Sequence, residues 1–327
     1  MKLSIIIPIY GVENYIKKCL MSCINQGNAK LGADYEIICV NDGTKDKSAD
    51  IARQIASQHE GISVIDQENQ GLSVARNTGT SVANGEYIWY VDSDDYIEDK
   101  CLERILPLLK DDLDILQLKW RLVYEDGRPP MEVKKSAPAG AFTGKEVTEQ
   151  GGLAAPAQFS VLRLLFVKEN NFSFYPNIYH EDAEFKPRVS YLAKKIVFDQ
   201  GVSYNYLQRS SGSIMSTFRP KKMYDLMIII DNLFDFMHKN VAKEDRRMWS
   251  RYFSGPLSEM LYLANYSKDK ILMADARKFV DERPECVYAI TCSYNLTLRI
   301  TGYLAKICGG NLFGVFKLLY KIRYRNL

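Results

Sequence analysis

Four apolar runs recur through the first hundred residues: Leu3–Ile9, Tyr35–Val40, Ile62–Ile65 and Glu86–Val91. Helical patterns fill the gaps. Val12–Ile24 carries Val12, Ile16, Cys19, Leu20 and Cys23 on one stripe, Ser48–Ser57 follows, and Gly71–Ala83 is expected to end at Asn84-Gly85 as a C-cap. This alternation predicts a doubly wound, mostly parallel α/β sheet. Runs so continuously apolar suit strands buried on both faces.

The fourth run ends abruptly in Asp92-Ser93-Asp94-Asp95. Open α/β sheets bind ligands at the carboxyl ends of their strands, so these acids stand where a ligand is expected. On an extended backbone Asp92 and Asp94 point the same way, roughly 6–7 Å apart. Carboxylates suit Mg²⁺ or Mn²⁺, which are often shared with substrate phosphates. The same four residues also suit a solvated turn. No Gly-x-Gly-x-x-Gly follows the first strand and no Gly-x-x-x-x-Gly-Lys occurs anywhere, which disfavours a dinucleotide site and a P-loop.

Further along, Cys101–Leu109 reads as a helix and Asp114–Leu118 as a strand. Residues 125–157 are rich in Gly and Pro and read as a long connection with short strands. Asp182–Ala193 is helical, with Pro187 as a kink or early stop. Lys195–Phe198 and Val202–Leu207 read as two strands. From about residue 218 the pattern turns helical, over 221–239, 244–265 and 269–282. A chain of 327 residues accommodates a catalytic domain and an appendage. Its net charge of +3 gives no case for nucleic acid. Seven cysteines without a Cys-x-x-Cys pair read as reduced thiols of a cytoplasmic protein, and three histidines without Cys clustering argue against zinc. The apolar start is short and broken by Pro8, so it reads as a first strand rather than a signal peptide.

Six motifs occur in one order: Ser-Ile-Ile-Ile-Pro-Ile-Tyr at 4–10, Val-Asn-Asp-Gly-Thr at 40–44, Asn-Gln-Gly-Leu-Ser-Val-Ala-Arg-Asn at 69–77, Val-Asp-Ser-Asp-Asp at 91–95, His-Glu-Asp-Ala-Glu-Phe at 180–185 and Arg-Ser-Ser-Gly-Ser-Ile at 209–214. Together they resemble the family 2 glycosyltransferases of bacterial surface-polysaccharide synthesis. The resemblance implies the GT-A nucleotide-diphospho-sugar transferase fold over 1–217, with a nucleotide-sugar half at about 1–97 and an acceptor half at about 98–217. A helical C-terminal region, 218–327, is appended to it.

The resemblance also implies a UDP-sugar donor and a glycan or lipid-linked glycan acceptor. Pro8, Ile9 and Tyr10 would wrap the uracil, and Asp42 would accept its N–H. Arg76 and Asp92 would hold nucleotide and ribose, with Glu13, Gly71 and Ser93 in the same set. Asp94 would ligate Mn²⁺ or Mg²⁺, and Asp95 would contact donor or acceptor sugar or cap the turn. Arg209 and Ser213 would cover the diphosphate, where arginine's fork suits phosphate. Inverting transfer needs a carboxylate base, which the family's Glu-Asp motif supplies as Asp182, with Glu181 positioning the acceptor.

Residues 293–327 hold Arg299, Lys306, Lys317, Lys321, Arg323 and Arg325 and no acid, so residues 1–292 carry −3. The segments Leu296–Ile307 and Leu312–Tyr324 alternate apolar and basic residues, as helices lying on the cytoplasmic membrane do. They suit packing against the catalytic domain or another subunit as well. The expectation is a cytoplasmic, peripherally membrane-associated enzyme. The rival readings are a noncatalytic UDP-sugar-binding scaffold and a nucleotidyltransferase. The latter usually carries a Gly-rich basic loop after its first strand, where Pro-Ile-Tyr-Gly stands here.

Overall fold

The computed structural model describes residues 1–110, 112–132, 138–209 and 219–323. The chain forms two compact units. The first comprises Met1–Gly144, Leu153–Asn177 and Val189–Met215; the second comprises Lys145–Gly152, Ile178–Arg188 and Ser216–Leu327.

The first unit is built on one sheet. Its strands are β1 Leu3–Ile9, β2 Tyr35–Asn41, β3 Ile62–Asp66, β4 Tyr87–Tyr90, β5 Tyr96–Ile97, β6 Ile115–Tyr124, β7 Met131–Glu132, β8 Ala141–Phe142, β9 Ser160–Arg163 and β10 Ile196–Gln208. They follow the order β3-β2-β1-β4-β9-β6-β10-β5, with β7 beside β6 and β8 beside β10. The pairs β1–β2, β1–β4, β2–β3 and β6–β10 are parallel, and β9 enters antiparallel between β4 and β6. Every residue of β1 and β4 is buried, as their uninterrupted apolar sequences require. Helices α1 Ile16–Ile24, α2 Ser48–Ala56, α3 Leu72–Val82, α4 Cys101–Ile105 and α6 Leu164–Glu169 belong to this unit; α5 Gly144–Glu149 falls almost wholly, and α7 Glu181–Leu192 for its first eight residues, in segments of the second unit.

Some local expectations need correction. Gly85 is not a left-handed C-cap, because α3 ends in extended Ala83. Gly85 is required by space instead: a Cβ there would lie 2.6 Å from both the Leu3 carbonyl carbon and the Ser4 nitrogen. Pro187 does not stop α7, which runs on to Leu192; a proline costs one hydrogen bond, and the flanking turns persist. The two strands expected at 195–207 are one strand, β10, whose pairing with β6 shifts register between Phe198 and Tyr204. That irregularity is what the Asp199-Gln200-Gly201 break in the apolar pattern encodes. The Gly/Pro-rich connection also holds a helix, α5, over a stretch, 145–150, that contains no Gly or Pro.

The second unit is helical from residue 220: α8 Pro220–Asn240, α9 Arg246–Trp249, α10 Ser254–Ser267, α11 Lys270–Asp281, α12 Glu285–Thr291, α13 Leu296–Ile307 and α14 Leu312–Arg323. Phe234 of α8 stacks on Phe253, ring centroids 4.1 Å apart, and Leu257, Met260 and Leu261 are buried on α10. Asp269 caps α11 by accepting from the amides of Ile271 and Leu272. Leu312, Phe313 and Val315 of α14 are buried, so that part of the basic segment packs within the protein.

Candidate active site

Strands β1, β2 and β4 run parallel, so their carboxyl ends share one edge of the sheet. Pro8 and Ile9 are buried at the end of β1, and Tyr10 is exposed just beyond. Gly11 turns the chain with φ +66°, and its amide donates to Thr44 Oγ1 at 2.9 Å. The Val12 amide donates to Ser48 Oγ, the Glu13 amide to Asp46 Oδ2, and Glu13 Oε2 accepts from the Lys47 amide. These bonds fasten the loop after β1 to the start of α2. Burial works against charge on Asp46, but hydrogen bonds from Ser48, Thr44 and Glu13 outweigh it and hold the carboxyl below its ordinary range.

Asp42, just past β2, is almost fully buried. Its Oδ1 accepts from Gln67 Nε2 at 2.7 Å and the Gln70 amide at 2.8 Å, and its Oδ2 accepts from the Gly71 amide at 2.8 Å. A carboxylate has about four lone-pair sites, so one remains after these three bonds. Gly71 caps α3 at φ +87°. Gln67 was not singled out by its sequence context, yet it grips Asp42, and its Oε1 is buried with no hydrogen-bond partner among the described residues.

Strand β4 ends at Tyr90, and the Asp95 amide donates to the Asp92 carbonyl at 3.0 Å. Residues 92–95 are therefore a turn, and the side-by-side spacing expected of an extended backbone does not apply. Arg76 of α3 reaches Asp92 Oδ1 with Nη2 at 2.8 Å, and its guanidinium lies 5.1 Å from the Phe174 ring centre. The Asp92 amide donates to Tyr204 Oη, whose hydroxyl donates to Asp95 Oδ2 at 2.7 Å, while the Leu207 amide donates to Asp95 Oδ1 at 2.7 Å. Tyr204 of β10 thus fixes the turn from the neighbouring half of the sheet, although nothing in its apolar sequence context marks it. Ser93 is buried within the turn.

Burial, then the charges of Asp92 and Asp94, push the Asp95 carboxyl well above its ordinary range. Asp94 is pushed up by burial and by Asp92, against the pull of Arg209, whose Nη1 is 3.5 Å from Asp94 Oδ2. Arg209 also lies 5.3 Å from the ring centre of Tyr15, and the Tyr15 hydroxyl donates to Glu125 at 2.8 Å. Ser213 lies outside the described residues.

In the second unit, His180 holds a left-handed φ of +62° and its carbonyl accepts from the Ala183 amide, opening α7. Its Nε2 is 3.4 Å from Glu259 Oε1. Glu181 and Asp182 follow in the first turn, half-buried, where the helix dipole favours acids. One turn on, Lys186 is buried, and burial pushes its amine down to about 7 against the pull of Asp182. Glu184 is buried, pushed up by burial and pulled back by Arg188 at 2.6 Å.

A mixed sheet whose first four strands run parallel, with acids and arginines gathered at their carboxyl edge, is that of the GT-A nucleotide-diphospho-sugar transferase fold. The chain belongs to glycosyl transferase family 2, whose profile matches residues 4–192. It is similar to the poly(ribitol-phosphate) beta-glucosyltransferase of Bacillus spizizenii, 32% identical over 78% of this chain. The chain spans only 44% of that relative's length. Among solved structures it resembles Staphylococcus aureus TarS 1–349 in complex with UDP-GlcNAc, with TM-score 0.62 and 20% identity over 94% of this chain and 92% of that one. It also resembles a Pyrobaculum calidifontis mannosyltransferase in complex with GDP-Man and Mn²⁺, with TM-score 0.51 and 10% identity over 100% of this chain and 88% of that one.

Proposed function

We propose that the chain is a cytoplasmic inverting glycosyltransferase that moves a sugar from a UDP-sugar to a hydroxyl of a glycan or lipid-linked glycan in cell-surface polysaccharide synthesis. The observation that carries this reading is the meeting of Arg76, Asp92, Asp94 and Arg209 at the carboxyl edge of the sheet, within a family 2 chain. The UDP-GlcNAc complex of TarS supports the donor class.

In this reading residues 1–97 form the donor half and 98–217 the acceptor half. Pro8 to Tyr10 flank the uracil, and the unused lone pair of Asp42 accepts its N–H. Glu13 and Gly71 hold the loops around the base, and Asp92 and Ser93 meet the ribose. Arg209, with Ser213, neutralises the diphosphate; an arginine over a phosphate can donate to two oxygens at once.

Asp92 and Asp94 offer hard oxygen donors, and burial beside a like charge makes Asp94 receptive to a cation. Asp92 and Asp94 supply two carboxylates, a donor set that fits Mn²⁺ or Mg²⁺ shared with the donor's phosphates. Such an ion, when bound, neutralises charge on the leaving diphosphate. Asp182 takes the proton of the acceptor hydroxyl as its oxygen bonds to the anomeric carbon, and the bond to the diphosphate oxygen breaks on the opposite face. Glu181 orients the acceptor, and Asp95 contacts a sugar or holds the turn for those that do.

The test is Asp182→Asn. It is expected to retain UDP binding and to lower transfer by about 10²–10⁴-fold. Full activity would remove Asp182 from the role of base. Turnover of any UDP-sugar excludes the noncatalytic scaffold.

A further inference from the structure

Helix α13 is inverted for a helix in water. Its buried residues are the small ones, Thr301, Gly302 and Ala305. Its large apolar residues Leu296, Ile300, Tyr303, Leu304 and Ile307 are between 39% and 81% exposed. Their spacing, i, i+4, i+7, i+8 and i+11, puts them on one stripe about 100° wide and about 18 Å long.

The helix cannot roll to hide this stripe. A Cβ at Gly302 would already lie 2.8 Å from the Thr291 nitrogen on the preceding helix. Leucine or isoleucine side chains have no room where Gly302 and Ala305 sit. The exposed stripe is therefore imposed by the packing, and it needs a cover.

Charge selects the cover. Arg299 and Lys306 are exposed along one border of the stripe, and residues 293–327 contain six basic residues and no acid. A second copy presenting the same basic face would be repelled. An anionic surface with an apolar interior complements both features. No helix among the described residues is long and apolar enough to cross a membrane. We propose that α13 lies flat on a membrane rich in anionic lipid, with its stripe in the headgroup–acyl boundary and Arg299 and Lys306 at the level of the phosphates. The two contributions act together, as stable peripheral binding requires. This inference does not depend on the catalytic reading.

The test is flotation of the full chain with phosphatidylcholine vesicles, with and without phosphatidylglycerol. Wild type is expected to bind the anionic vesicles at least about tenfold more tightly, with binding falling as salt rises. Ile300→Asp with Ile307→Asp should abolish binding, and Arg299→Gln with Lys306→Gln should reduce it roughly tenfold. All four side chains are exposed, so the thermal midpoint should hold. Tyr303→Trp gives an independent readout, a blue shift in emission on anionic vesicles. Absence of binding by wild type, binding indifferent to the aspartates, or no shift from Tyr303→Trp would overturn the proposal. So would a dimer that the aspartates dissociate without any vesicle binding.

Discussion

Arg76 and Asp92 form a 2.8 Å ion pair in which the arginine is 1% exposed and the aspartate 21%. The asymmetry matters: removing the aspartate takes an ion-pair partner from a guanidinium that is itself buried. Asp94 meets Arg209 only at 3.5 Å, with both side chains partly exposed.

Asp92→Ala is therefore expected to destabilise the fold by about 3 kcal/mol, the scale of breaking a buried pair. Asp94→Ala should cost no more than about 1 kcal/mol. Urea unfolding at neutral pH measures both. Equal losses would contradict a structural share for Asp92 in this pair.

The raised carboxyl of Asp94 has a pH consequence. A group whose folded pKa exceeds its ordinary value of 3.8 stabilises the fold fully below that value, and the contribution is lost as pH rises through the folded pKa. Asp94→Asn should remove this loss, so its stability should fall less than wild type's as pH rises from 4 towards neutrality. Parallel unfolding curves across that range would deny the buried, like-charge environment.

Lys186 has the opposite sign. Its folded pKa of about 7 lies below the ordinary 10.5, so its contribution is fully present above 10.5 and lost as pH falls through about 7. The stability difference between wild type and Lys186→Met should therefore move in favour of wild type as pH rises above 7. Asp182→Asn should widen that movement, because Asp182 holds the lysine's pKa up. A difference that is flat with pH would place the ammonium in water.

Gly85→Ala should cost about 1–3 kcal/mol, because the new Cβ meets the backbone of β1 rather than a movable side chain. Thermal unfolding reads this directly. A neutral substitution would mean that the turn before β4 can move away from Leu3 and Ser4.

How much of this was legible follows from what sequence patterns encode. The parallel strands β1, β2 and β4 were readable because burial on both faces leaves uninterrupted apolar runs; β3, with no buried residue, was readable from its short β-branched run alone. Motif order pointed to Asp42, Arg76 and the acids at 92–95. Partners were not readable. Tyr204 and Gln67 act through long-range bonds to Asp95 and Asp42, across 109 and 25 positions, and periodicity carries no such information. At 92–95 the sequence left an extended backbone and a turn both open, because the end of an apolar run marks where burial stops and not how the next residues fold; the bond from the Asp95 amide to the Asp92 carbonyl decides for the turn. Gly85 was misread because a glycine needed for space and a glycine needed for a left-handed cap look alike in sequence.

The most direct test of the nucleotide site is calorimetric titration with UDP, GDP, CDP and ADP, each with Mn²⁺ and with a chelator. Selective binding of UDP that weakens sharply when the metal is removed is the expected result. Absence of binding, or binding without preference for UDP, would contradict the roles given to Asp42, Arg76 and Asp94 together.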